Sequence, residues 1–200
     1  MKHRTRLQSI TIAALLSALG IVIAMFFPKI PIPPASFTLA IHVPIFIAMF
    51  ISPPVAAAVA LVSATGFFFI GLPVTIVLRA LSHIVFALVG SMILKKNPGV
   101  LATPGKATGF GLMIAVLHAA CEVAAVTLFY AATSPSLLHF TNGFGYSVLL
   151  LVGLGSVAHS MVDFGIAIFI WKPLLRVVQI PVSAKIMPKR NKTENAGVKN

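Results

Sequence analysis

Three pairs of residues carry the chemistry this chain could do: Arg79 with His83, His118 with Glu122, and His159 with Asp163. Members of each pair are four apart, so they project from one helical face, one turn above the other. A guanidinium, imidazoles and carboxylates together could bind an anion, relay a proton or coordinate a cation. All six lie in strongly apolar segments, where ionisable side chains face a bundle interior or a wet cavity, paired or holding a ligand. Three ladders that converge would form one polar pocket inside an apolar bundle. A plainer reading exists for each residue: Arg79 could be locked to Glu122 or Asp163 in an ion pair that fixes packing, and a neutral histidine can donate to a neighbouring helix. The concentration of six of the seven most polar intramembrane side chains in such pairs favours a site. His42 is the seventh, and its place near the outer end of a helix predicts a rim residue.

The elements that must position these residues follow from composition. Hydrophobic residues are 58% of the 200 and charged residues 9%, with a mean hydropathy of +1.03; a soluble domain carries about 25% charged residues. The chain is therefore read as an all-α integral membrane protein, a six-transmembrane-helix bundle with both termini cytoplasmic. Residues 1–188 are expected to form one six-helix membrane domain, and 189–200 a polar, disordered cytoplasmic tail. Prolines, glycines and charges place helices at about residues 7–27, 38–51, 54–70, 73–94, 107–132 and 146–171, with Trp171 as an interfacial anchor. The Pro-rich stretch 28–37 is expected to be extended and semi-rigid, and the basic N-terminus reads as the start of a retained span. Thirteen of the fifteen Lys and Arg lie at the termini and in the loop around Lys95, Lys96 and Lys106. The positive-inside rule accounts for that distribution, so the net charge of +12 calls for no nucleic acid. Cys121 is the lone cysteine, which excludes a disulfide framework. This topology puts Arg79 about 9 Å and Glu122 about 15 Å below the outer surface, and Asp163 about 25 Å deep. The site would open outward.

Helix 1 carries a separate signal. Ala14 and Ala18 make a small-xxx-small seam, widened by Ala13 and Ser17, that would let another helix approach closely. Taken together, the basic N-terminus, the Ala14-x-x-x-Ala18 helix, the Pro-rich first outer loop, six short spans and the polar residues of helices 4 to 6 resemble the substrate-binding S component of an energy-coupling factor vitamin transporter. The likeness covers about residues 6–176. The stretch from Ala35 to Phe50 and the run Leu78-Arg-Ala-Leu-Ser-His83 look like the niacin or pantothenate members. The resemblance implies a non-enzymatic subunit of a bacterial plasma membrane that binds a small carboxylate vitamin from outside. It implies docking through Ala14 and Ala18 on a transmembrane T component driven by two ATPase subunits, and ligand contacts at Arg79, His83, His118, Glu122, Asn142 and His159. Arg79 would clamp the carboxylate bidentately, Glu122 would orient His118 or pair with Arg79 when no ligand is bound, and Phe67 to Phe69 would cover the apolar part. No catalytic residue, cofactor or metal is expected, and no Walker motif is present, so energy must come from a partner. Two alternatives stay open. An intramembrane hydrolase could use Glu122 with the histidines, and a metal-transport component could use the same imidazoles and carboxylates. The fixed cation Arg79 argues against the second.

Overall fold

The computed structural model describes residues 2–32, 35–133, 143–175, 177 and 182–184. Helix α1 (Lys2–Phe26) leads into an antiparallel hairpin of β1 (Lys29–Ile32) and β2 (Ala35–Thr38), with Lys29 opposite Thr38 and Ile32 opposite Ala35. Then follow α2 (Val43–Ile51), α3 (Pro53–Phe69), α4 (Val74–Lys96), α5 (Pro104–Thr133) and α6 (Gly155–Leu174), the last entered through a π-helical stretch, Gly145–Leu154. Four helical segments, Arg6–Phe26, Val74–Lys96, Pro104–Thr133 and Gly145–Leu174, are long and apolar enough to cross a membrane. Large apolar side chains such as Leu15, Phe26, Leu128 and Phe169 point outward from them, as a lipid solvent allows. The chain is a multi-pass helical membrane protein.

Helix α2 organises the interior. Its nine residues are all buried, and at 1.5 Å per residue they span only about 13.5 Å. Phe46, Met49 and Phe50 fill the centre of the bundle, with Phe46 and Phe50 set edge-on to Phe164 of α6. At its C-terminal end Pro53 and Pro54 supply no N–H, which would leave the carbonyls before them without helical donors. The residues after α6 return to take up that role: Ala184 N–H donates to the Phe50 carbonyl and Ser183 N–H to that of Ile51, each at 2.9 Å. Glycines set two close approaches. A Cβ on Gly111 would meet Phe164 Cδ1 at 2.5 Å, and one on Gly155 would meet Phe37 Cζ at 2.8 Å, so α5 and the hairpin both lie tight against α6.

Several sequence expectations change here. The second helix, expected from residue 38, begins at Val43, because residues 39–42 form a turn that a side chain from α6 holds. The stretch 28–37 is a hairpin where an extended semi-rigid loop was expected. Trp171 is not an interfacial anchor: it is fully buried against Phe50, ring centroids 5.6 Å apart, because its face of α6 turns toward α2. The tail 189–200 lies outside the described residues.

Candidate functional site

Because α2 is short, the turn before it sits deep in the bundle, and Asp163 on α6 fixes that turn. Its carboxylate accepts the N–H of Ala40 at 2.8 Å, the N–H of His42 at 3.0 Å and the Nδ1–H of His42 at 3.0 Å. Ala40 is thereby held at φ +66°, in the left-handed region, at a cost of about 1–2 kcal/mol for a residue with a Cβ. Asp163 is thus a clamp on backbone, fully buried, and not a wall of the cleft. His42 was expected on the rim. The clamp places it in the middle of the polar cluster, only 4% exposed.

Glu122 on α5 is the hub. Arg79 of α4 donates to it with two prongs, Nε to Oε1 at 3.1 Å and Nη2 to Oε2 at 2.9 Å, the fork geometry that a guanidinium offers a carboxylate. Ser156 of α6 also donates to Oε2. His83 Nε2 and His118 Nε2 each stand 3.4 Å from Oε1. The ladders on α4 and α5 therefore meet at one carboxylate. The ladder on α6 joins them through His42, whose ring lies 5.0 Å from that of His159, 4.8 Å from His83 and 4.5 Å from His118, centroid to centroid.

A narrow cleft opens onto this cluster. Its floor is polar, with Arg79, His42, His83, Glu122 and His159. Its walls include Phe37, Phe67, Leu72 and Ile76, and Lys29 stands at the mouth. Phe37 of the hairpin caps the floor, its ring centroid 5.8 Å from the Arg79 guanidinium carbon and 5.4 Å from the His159 ring. His118 is not in the lining; it lies just beneath, fully buried. Of the three phenylalanines expected to cover a ligand, Phe67 lines the cleft, while Phe68 and Phe69 are 60% and 80% exposed, since consecutive helical residues fan around the axis. Asn142 lies outside the described residues. His42 and Ser156 are the residues sequence reasoning missed. Nothing local marks Ser156, whereas the lone polar His42 in the apolar run from Leu39 to Phe50 was a visible signal whose depth was misjudged.

On α1 the small residues divide between two faces. Ala13 and Ser17 are buried in the bundle, whereas Ala14 and Ala18, about 100° further round the helix, are exposed. The seam expected to have four members thus has two that face outward.

No protein-family model matches the chain, and no solved structure matches it. The chain is 40% identical over 191 residues to the niacin transporter NiaX of Lactococcus lactis subsp. cremoris, an alignment covering 94% of this chain and 84% of the relative. An identity of that size along almost the whole length, on a helical membrane protein with an inward cluster of Arg, His and Glu, shows that the chain belongs to the NiaX family of energy-coupling factor S components, the substrate-binding membrane subunits of vitamin uptake.

Proposed function

We propose that this S component binds niacin in the cleft over Glu122 and delivers it to an energising complex of a T component and two ATPase subunits. The observation that carries the reading is the 40% identity to a niacin transporter; a cleft with apolar walls and a cationic and imidazole floor supports it. A flat pyridine carboxylate would stack between Phe37 and Phe67 and turn its polar atoms toward Arg79, His83 and His159. His118 lies beneath the floor against His83, and Asn142 is assigned to the ligand contacts on the family resemblance. Transport, not hydrolysis, follows from the relative's activity, and both Glu122 oxygens are engaged by Arg79 and Ser156, which leaves a poor base for activating water. We assign the chain six spans, with α2 crossing only the inner half of the bilayer and the hairpin completing the outer half, and both termini inside by the positive-inside rule. Ala14 and Ala18 are assigned to docking on the T component, since exposed small residues permit close helix approach.

Titration calorimetry on the purified full chain tests the substrate. Nicotinic acid should bind one to one and pantothenic acid should not compete. Preference for pantothenic acid, or no heat with nicotinic acid, would refute the niacin assignment.

A further inference from the structure

The buried fixed charges among the described residues are one cation, Arg79, and two anions, Glu122 and Asp163. With neutral imidazoles the fixed charges on the floor of the cleft cancel, and Asp163 behind His42 brings the buried cluster as a whole to −1, while Arg79 already turns Nε and Nη2 to Glu122. Such a cluster offers a carboxylate no net attraction, at a depth where charge is poorly screened.

The arrangement beside Glu122 has the form of a cation site. His42, His83, His118 and Glu122, all buried, bring one donor atom each to within 4.8 Å of one another. His83 Nε2 and His118 Nε2 stand 3.4 Å from Glu122 Oε1, long for a hydrogen bond. Two atoms bound to one tetrahedral zinc at about 2.0–2.1 Å are about 3.4 Å apart. Neither ring nitrogen of His118 has a hydrogen-bond partner among the described residues, although the side chain is fully buried; an imidazole left so is costly unless something else takes its lone pair. His42 donates its Nδ1–H to Asp163, leaving the lone pair on Nε2. Asp163 thus stands behind His42 as a carboxylate stands behind a zinc-bound histidine. The fixed charge of Arg79, an objection to a cation when the residue is read alone, is neutralised by its fork on Glu122.

We propose that His42, His83, His118 and Glu122 Oε1 bind one divalent cation of the zinc class at the floor of the cleft, as a resident part of the site and not as cargo. Three nitrogens and one oxygen in a compact set suit such an ion. With it in place the buried cluster, Asp163 included, changes from −1 to +1, matched to a single carboxylate. The site itself stands on the geometry; its tie to the vitamin rests on the niacin reading above.

The full chain, purified with a tag free of histidine, should carry about one zinc-class ion per protein by elemental analysis. After stripping with a chelator, Co²⁺ should restore a stoichiometric visible spectrum of four-coordinate type. Stripping should weaken nicotinic acid binding by about 30-fold or more, the loss expected when a buried charge loses its partner, and Zn²⁺ should restore it. His118→Ala and His83→Ala should each lose the ion; should either fail to fold, the wild-type cobalt spectrum decides. Absence of the ion and of the cobalt spectrum would overturn the proposal. So would chelator-insensitive nicotinic acid binding, which leaves the niacin reading standing. A cobalt spectrum without nicotinic acid binding would uphold the ion and remove niacin.

Discussion

Glu122 and Arg79 show how one residue's surroundings decide what its charge can do. Read from the sequence, Arg79 is a free clamp for a carboxylate; in the folded protein its fork closes on Glu122, both groups largely out of solvent, 8% and 2% exposed. Removing one member of such a buried pair strands the other, so Arg79→Ala or Glu122→Gln should each destabilise the protein by about 3–5 kcal/mol. The double variant Arg79→Met with Glu122→Leu should recover much of that loss, because neither charge is then left unpaired. Thermal unfolding in detergent measures the cycle. Additive losses would mean that the pair is not coupled. Ligand specificity gives a second reading of the same residue. If Arg79→Ala weakens nicotinamide and nicotinic acid equally, the arginine supports the fold; a loss confined to the acid makes it a contact of the carboxylate.

At the scale of elements, the small residues of α1 separate two roles on one helix. Ala13 faces α2 and is 9% exposed, so Ala13→Trp overpacks the interior and should impair nicotinic acid binding along with stability. Ala14 and Ala18 are exposed, and Ala14→Trp or Ala18→Trp should leave binding by the isolated subunit intact while abolishing uptake in cells. Binding by calorimetry and uptake of labelled vitamin are compared on the same variants. Loss of binding in the Ala14 and Ala18 variants would make that face part of internal packing. The hairpin and the turn after it form a second functional element. Asp163 holds the turn and Phe37 roofs the floor, so the hairpin forms one wall of the cleft.

For the molecule as a whole, the proposed orientation is tested by labelling. In a Cys121→Ala background, a cysteine at Ser134 should react with an impermeant thiol reagent on intact cells and one at Asn97 should not, since the basic segments stay inside. Equal reaction at both would end the six-span assignment. Energy is likewise a property of the assembly. The sequence holds no Gly-rich phosphate loop ending in Lys and Ser or Thr, so cells without the partner ATPases should bind the vitamin without concentrating it. Concentrative uptake by the purified chain alone in vesicles would contradict this.

What the sequence by itself determined was whatever depends on neighbours along the chain. Membrane class came from composition, and the polar ladders at Arg79, His118 and His159 came from a spacing of four, because the pitch of a helix is set by local backbone hydrogen bonds. The choice of partners was not local. Arg79 had Glu122 and Asp163 available, and only helix packing, with Ser156 brought in from α6, brought it to Glu122. His42 lies 121 residues from the carboxylate that positions it; two backbone N–H groups captured by Asp163 delay the start of the helix and lower the imidazole into the cluster. A residue's depth in a membrane protein is read from sequence by assuming that the helix runs on to the surface. Here α2 begins late because a buried carboxylate on another helix takes the donors of the turn before it, and that is settled only when the helices have packed.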